Sequence, residues 1–358
     1  MIGELSFSRY WLHCRRCGEG YAPFDKEIGI DDGYKITKNL IVTICDFGQI
    51  SGSYEEASKL LDKYLDVNVA PATIKKICEG VGNKLYEEEK AEAEYLYNNQ
   101  HKVLSDISEE DKKGRLYIEL DGSFVSIRNK GWKEVKLGEV FKDTKIINKG
   151  NERHIIVEKD YTAVIGSAEE FKKFLWACAV RNGLEEVKEV VIIGDGAKWV
   201  WNIAGELFPD AVFILDYYHF SEHVHECADV IYPEDEVNRK RWIDSIIEGF
   251  MNGRIEETLS GINPDAYEDE KVSKKVAELK SYLESNKDKI RYKEYRERGY
   301  FIGSGAVESG HKCVIQRRLK QAGMRWSECG AQAMACLRTA YKSNNWQRVI
   351  DIVFGKAG

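Results

Sequence analysis

The chain has 358 residues, more than a single domain usually contains, so we expect two or more structural units. Hydrophobic residues make up 43% and charged residues 32%, which describes a globular protein; no run approaches the roughly 18 apolar residues of a membrane helix. The net charge of −7 does not favour general attraction to nucleic acid, but it does not exclude binding through a local basic surface. Because the opening segment lacks the apolar stretch of a signal peptide, we predict a cytoplasmic protein without membrane contact.

Residues 1–34 contain the only cysteine motif, Cys14-x-x-Cys17-Gly18, which is similar to half of a zinc ribbon. A structural zinc site normally needs four ligands. His13 offers a third, and no second C-x-x-C follows, so the motif predicts a zinc site at Cys14 and Cys17 whose ligand set is incomplete. The other seven cysteines are isolated and suit the core of a protein in a reducing compartment.

Residues 35–108 have helical character. Ser53 is the predicted N-cap of one helix, and Pro71 stands at the start of the next. Two helices around a tight turn resemble a DNA-binding helix-turn-helix. The alternative, two packed helices of an ordinary all-α module, is favoured by this pattern taken alone.

A different pattern begins near residue 114. RLYIELDGSFVSI, WKEVKLGEVF and HIIVEKDYTAVI predict three successive strands, followed by a helix with Ser167 as N-cap, Glu170 at the capping-box position and Gly183 as its stop. Strand, helix and strand follow as far as residue 219, so the order β-β-β-α-β-α-β predicts an α/β fold with a mixed sheet. Residues 220–298 predict an all-helical insertion, and residues 299–358 return to helix.

Three acids stand where a buried carboxylate is costly unless it is paired, hydrogen-bonded or bound to a metal. Asp121 lies in the first strand of this region, Asp195 ends the fourth strand, and Glu308 opens a late helix. In a mixed sheet of this order, the first and fourth strands are neighbours. If the three acids converge, they predict a site for a divalent cation such as Mg²⁺ or Mn²⁺.

The late helix has an apolar stripe at 100° per residue that should face the sheet. It contains Glu308, Lys312, Ile315, Leu319 and Ala322. Glu308 would then point inward, whereas basic residues would lie toward solvent. Basic residues expected to contact phosphate are Lys312, Arg317, Arg318, Lys320 and Arg325.

Each acid also has a simpler explanation. Asp121-Gly122 and Asp195-Gly196 suit turns, and Glu308 suits the positive end of a helix dipole. Trp199, Trp201 and Trp326 are expected to pack in the core, with stacking on an extruded base as the alternative.

The segments IIGDGAKWVW, FPDAVFILDYYHFSEHV and GYFIGSGAVESGHKCVIQRRLKQAGMRW resemble bacterial insertion-sequence DDE transposases of the Mutator-related group. The resemblance spans about residues 14–346. It implies a ribonuclease-H-like core and a catalytic, metal-binding triad of Asp121, Asp195 and Glu308. The spacings are 195 − 121 = 74 and 308 − 195 = 113, the longer one filled by the helical insertion. The implied activity is metal-dependent cleavage at the ends of a mobile element, followed by strand transfer into target DNA by a homo-oligomer at the nucleoid.

Asp216 and His219 form D-x-x-H, for which the resemblance implies a supporting role; Asp216 as the second metal ligand is the alternative. His219 and His223 share a helix face that His225 does not, so a three-histidine zinc site is not expected. Relatives often have a further cysteine pair upstream, which predicts a truncated copy here. A catalytically idle, DNA-binding repressor and a ribonuclease-H-like nuclease without strand transfer are the competing functions.

Overall fold

The structure, a computed structural model, describes residues 8–30, 34–99, 107–148 and 154–355. It opens with an antiparallel hairpin of β1 (Leu12–His13) and β2 (Gly20–Tyr21). The helices that follow are α1 (Pro23–Glu27), α2 (Lys38–Ile50), α3 (Tyr54–Leu65) and α4 (Pro71–Asn98).

Local chemistry sets the starts of α3 and α4. The Ser53 hydroxyl accepts a hydrogen bond from the Glu56 N–H at 3.1 Å, so the predicted N-cap is confirmed. Pro71 occupies the first position of α4. An N–H at this position would have no acceptor within the helix, so the absence of one in proline costs no hydrogen bond. Asp66 ends α3 in the left-handed conformation at φ 53°.

The centre of the molecule is a mixed sheet of five strands in the order β7-β4-β3-β8-β9. A short helix α5 (Glu109–Lys113) precedes it. Strands β3, β4 and β7 pair antiparallel, while β8 and β9 run parallel to β3, which confirms the predicted mixed sheet. The strands are β3 (Arg115–Ile127), β4 (Gly131–Lys142), β5 (Ile146–Asn148), β6 (His154–Ile156), β7 (Asp160–Val164), β8 (Glu189–Gly194) and β9 (Val212–Leu215).

One predicted strand was wrong. The segment HIIVEKDYTAVI is not continuous: its first part, β6, pairs with β5 in a separate hairpin, and only β7 joins the main sheet. Residues 157–159 between them lie outside any strand, so the chain can change partners there.

Helices cover both faces of the sheet. Helices α6 (Ala168–Arg181) and α7 (Lys198–Leu207) pack on one face, against a core that includes Leu116, Ile118 and Ile192. Ser167 caps α6 by accepting from the Glu170 N–H at 3.1 Å, as predicted.

The predicted helical insertion covers much of the opposite face. Tyr117 and Ile193 of the sheet share a core with Phe220, Phe250 and Leu283 of the helices. The insertion is therefore packed onto the sheet. Its helices are α8 (Tyr217–Ile231), α9 (Glu236–Met251), α10 (Ile255–Gly261), α11 (Glu270–Ser285) and α12 (Tyr292–Glu297).

The last helices pack against the first ones. α13 (Gly305–Gly310) runs into a π-helical segment (His311–Gln316), followed by α14 (Arg317–Leu319), α15 (Glu328–Lys342) and α16 (Gln347–Phe354). A Cβ on Gly82 of α4 would lie 2.3 Å from the Ala333 carbonyl oxygen, so glycine permits the close approach of α4 and α15. None of the helices in the described ranges is long and apolar enough to cross a membrane.

Candidate active site

Three aspartates lie one residue beyond the parallel pairing of three adjacent strands. Leu120 of β3 pairs with Gly194 of β8, and Gly194 pairs with Leu215 of β9. The residue that follows each of these three is an aspartate: Asp121 within β3, and Asp195 and Asp216 directly after β8 and β9. Because paired strands lie about 4.8 Å apart, the sheet brings the three residues to one edge. The predicted neighbourhood of Asp121 and Asp195 is confirmed.

Asp216 is completely buried and is held by backbone donors. Its carboxylate accepts hydrogen bonds from the N–H groups of Tyr218 at 3.3 Å, His219 at 3.1 Å and Ser304 at 2.7 Å. The first two make it the N-cap of α8, and the third fixes the segment before α13. Asp216 therefore joins β9, the insertion and the final helices at one point.

Glu308 reaches the same place from α13. One ligand atom each from Asp216, His219 and Glu308 lie within 4.8 Å of one another, and no other group of His, Cys, Asp or Glu in the described ranges meets this spacing. Partial burial raises the pKa of Glu308, and the negative charge of Asp216 raises it further. Of the predicted triad, only Glu308 is in this compact group, where it meets the D-x-x-H pair; Asp121 and Asp195 lie outside it.

Asp121 of β3 and Asp195, just after β8, repel each other. Burial and, next, the Asp195 charge raise the pKa of Asp121 to about 6. The Asp121 Oδ1 accepts from the Gly122 N–H at 2.6 Å, and the Asp195 Oδ1 accepts from the Ala197 N–H at 2.9 Å. A cation between such carboxylates would relieve their repulsion.

The inward stripe predicted for the last helix was only partly correct. Ile315 and Leu319 are buried, but Glu308, Lys312 and Ala322 are exposed. The π-helical segment that begins at His311 changes the 100° repeat on which the stripe was drawn. Glu308 consequently approaches the aspartates from the exposed first turn of α13.

Four of the five basic residues expected to contact phosphate are exposed: Lys312, Arg317, Lys320 and Arg325. Lys320 donates from Nζ to the Ser123 hydroxyl at 3.0 Å, two residues beyond Asp121. This contact places a cation on the strand that holds the first acid.

Arg318 does not face solvent, and this prediction was wrong. The side chain is 1% exposed and donates from Nε to the Gly48 carbonyl at 2.8 Å. Its guanidinium carbon lies 4.5 Å from the ring centre of Tyr54 and 5.0 Å from that of Trp326. The prediction assumed that this helix packs only on the sheet. In the structure, α14 also packs against α2 and α3.

Sequence reasoning missed a buried pair of glutamates beside the site. Glu119 of β3 lies opposite Glu139 of β4, and both are buried. Glu119 Oε2 accepts from the Val307 N–H at 2.8 Å, and Lys159 Nζ lies 2.7 Å from Glu139 Oε1. Burial and, next, the Glu139 charge raise the pKa of Glu119 well above its usual range. The period-2 spacing of Glu119 and Asp121 was the available signal.

His311 was also missed, although it lies one helical turn after Glu308. Its ring is 3% exposed, and Nε2 lies 3.3 Å from Asp121 Oδ2. Burial lowers the pKa of His311 to about 4. Asp121 therefore has a neutral imidazole beside one oxygen and a backbone N–H on the other.

All three tryptophans pack with the core, although at different depths. Trp326 is 3% exposed and donates from its ring nitrogen to the Leu319 carbonyl, which confirms a core role for this residue. Trp199 and Trp201 are partly exposed.

Cys14 and Cys17 lie in the turn of the β1–β2 hairpin, and both are exposed free thiols. Backbone N–H groups of Cys17 and Arg16 lower the pKa of Cys14, which favours the thiolate form that binds metals. Within the described ranges, no third His, Cys, Asp or Glu closes a compact ligand group with them. The zinc site stays a prediction.

Fold and site define an α/β protein with a mixed five-stranded sheet whose parallel strand ends, together with a late helix, gather carboxylates and one histidine. The chain belongs to the family described as "Uncharacterised protein family (UPF0236)", which matches residues 1–353. A similar protein is the "UPF0236 protein in vanSb 3'region" of Streptococcus gallolyticus. It is 24% identical over 354 residues, which cover 96% of this chain and 72% of the relative.

Proposed function

We propose that this protein is a DDE transposase that cleaves DNA at the ends of a mobile element and joins the freed 3′-hydroxyl to target DNA. The observation that supports this most is the row of aspartates just beyond the parallel pairing of three adjacent strands, with Glu308 approaching from a late helix. The strand order, with the first long strand in the centre, suits the ribonuclease-H-like core that the sequence resemblance implies.

The donor set fits a hard divalent cation. Carboxylate oxygens are the ligands that Mg²⁺ and Mn²⁺ prefer. We assign Asp121, Asp195 and Glu308 as metal ligands. Asp216, whose oxygens already serve three N–H donors, would support them together with His219. A bound cation would activate water or a 3′-hydroxyl and stabilise the leaving oxygen.

Double-stranded DNA is the proposed substrate. Lys312, Arg317, Lys320 and Arg325 are exposed on the segment after Glu308 and would contact phosphates. The amino end of α4 is open to solvent at Ala72 and Thr73, as the second helix of a DNA-binding helix pair requires. Two element ends must be joined together, so we propose a homo-oligomer at the nucleoid.

The test is a cleavage and joining assay with purified protein, labelled DNA that contains an element end, and Mg²⁺ or Mn²⁺. We expect nicked and joined products, and a loss of at least about 100-fold in Asp121→Asn and Glu308→Gln, since removed charge stabilisation is of this order. The exposed Asp210→Asn is the matched control.

Each competing function has its own product pattern. Full activity in Asp121→Asn would refute the proposed site. Nicked but never joined DNA would indicate a nuclease, and metal-independent binding without any cleavage would indicate a repressor.

A further inference from the structure

A basic cleft lies beside the proposed active site, between the sheet's crossover helix α7 and helix α11 of the insertion. Its volume is about 800 Å³, and it begins at Gly196, one residue after Asp195. Gly196 has φ +94°, and a Cβ there would lie 2.8 Å from the Tyr282 ring. Glycine therefore lets the loop after Asp195 approach α11 closely.

Hydrogen bonds fix the two walls of the cleft to each other. Tyr282 donates from its hydroxyl to the Asp195 carbonyl at 3.0 Å, and Trp201 donates from its ring nitrogen to Asn286 Oδ1 at 3.0 Å. Asn286 is 4% exposed and donates in turn to the Tyr282 carbonyl at 2.9 Å. The cleft is thus a preformed feature that is joined directly to the backbone of Asp195.

The charge of the cleft is unbalanced. Three lysines line it, against one acidic residue, Glu278. No carboxylate within the described ranges pairs with any of the three, although neighbouring Lys275 and Lys287 pair with Glu226 and Glu256. The unpaired lysines are Lys198, Lys274 and Lys289.

The ligand suited to this arrangement is a chain of phosphates with attached rings. Lysines without carboxylate partners attract phosphate oxygens, and release of counterions favours such binding. Trp201 and Tyr282 line the same cleft and offer aromatic surface for sugars and bases. Lys289 Nζ already lies 5.3 Å from the ring centre of Trp201, so one cation sits beside an aromatic wall.

We propose that this cleft binds the phosphodiester backbone of the DNA strand leading to Asp195, and that the insertion serves to form its second wall. This inference rests on the proposed function, because DNA is the substrate assigned to the acids. A free polyphosphate presents the same phosphate oxygens as a DNA backbone. The experiment below distinguishes these two ligands.

The experiment measures binding of a labelled DNA strand to the full chain by fluorescence anisotropy, in EDTA, at several salt concentrations. The test variant replaces all three lysines with glutamine. If each lysine neutralises one phosphate, raising salt from about 50 to about 200 mM should weaken the wild type about 20- to 40-fold more than the variant. Arginine at the same positions should restore the salt dependence. The control removes three exposed lysines elsewhere, Lys113, Lys188 and Lys240.

An unchanged salt dependence in the glutamine variant, or an equal loss in the control variant, would overturn the cleft assignment. If the wild type still cuts DNA with metal in that case, the proposed function stands without it. Binding of inorganic tripolyphosphate to the wild type but not the variant, with no DNA binding to either, would also overturn the proposal, because the cleft would then serve a free phosphate ligand.

Discussion

The backbone N–H of Val307 donates a hydrogen bond of 2.8 Å to the buried carboxylate of Glu119. Glu119 lies two residues before Asp121 on the same face of β3, and Val307 immediately precedes Glu308. One hydrogen bond therefore fixes the strand of the first proposed metal ligand to the helix of the last. Glu119 is therefore a positioning residue: it fixes Asp121 and Glu308 relative to each other and is not itself assigned as a metal ligand.

Replacing Glu119 should separate positioning from folding. Glu119→Leu removes the acceptor and leaves the Val307 N–H unpaired, which should lower the free energy of unfolding by about 1–3 kcal/mol. Glu119→Gln keeps a carbonyl oxygen for Val307 and should retain most of the stability and activity. Urea unfolding and DNA cleavage at saturating Mn²⁺ measure the two effects. Equal activity in wild type and Glu119→Leu would show that the contact does not position the site.

Metal binding should distinguish Asp195 from Asp216. Mn²⁺ at about 100 times its Kd should stabilise the wild type by about 2.7 kcal/mol, seen as a rise in Tm. Because Glu308 is exposed, Glu308→Gln should abolish this rise while changing metal-free stability by less than about 0.5 kcal/mol. Asp195→Asn should also abolish the rise.

Asp216→Asn provides the contrasting case. The Asn oxygen still accepts from Tyr218 and Ser304, but its amide nitrogen cannot accept from the His219 N–H. Loss of that bond and of the charged acceptor should lower metal-free stability by about 1–3 kcal/mol. A full Tm rise in Asp195→Asn, together with none in Asp216→Asn, would make Asp216 the ligand instead.

Local chemistry and the order of the main strands were predictable from the sequence, but long-range side-chain contacts were not. Ser53, Pro71 and Ser167 act within three residues of their own position, so their roles could be inferred directly. The strand order placed Asp121 beside Asp195 because the topology of mixed sheets is restricted. The periodicity of apolar residues shows which side of a helix or strand is buried. It does not show which distant residue each buried side chain contacts.

Arg318 illustrates this limit. Its partner, the Gly48 carbonyl, is 270 residues away in the chain, and the π-helical segment before it alters the direction of the side chain. Glu119 is a second example. In the sequence it looks like an ordinary strand residue, because its hydrogen-bond partner Val307 lies 188 residues later.

Arg318→Ala should therefore affect stability rather than DNA contact. It removes a charged hydrogen bond and contacts with two aromatic rings from a buried site, so we expect a loss of about 3 kcal/mol in the free energy of unfolding. The exposed Arg317→Ala should change stability by less than about 0.5 kcal/mol and weaken DNA binding instead. Denaturant unfolding and anisotropy measure the pair. Weaker DNA binding in a fully stable Arg318→Ala would contradict the buried assignment.

Glu89 should make stability depend on pH. It lies on α4, largely buried, and its Oε1 is 3.9 Å from Arg348, which also donates to Glu92 at 2.7 Å. Burial raises the pKa of Glu89 to about 7 from its usual 4.5, more than the shared Arg348 charge lowers it. The folded state thus favours the protonated acid.

The sign of the effect follows from this upward shift. The contribution of Glu89 to stability is fully present below pH 4.5, the unfolded value, and is lost as the pH rises through about 7. At about 1.4 kcal/mol per pH unit, the loss reaches at most about 3.5 kcal/mol. Glu89→Gln stays neutral, so its free energy of unfolding relative to wild type should increase by that amount across the window. Urea unfolding across this pH range measures the difference, with exposed Glu87→Gln as control. A difference that stays constant with pH would mean that Glu89 is ionised in the folded protein throughout.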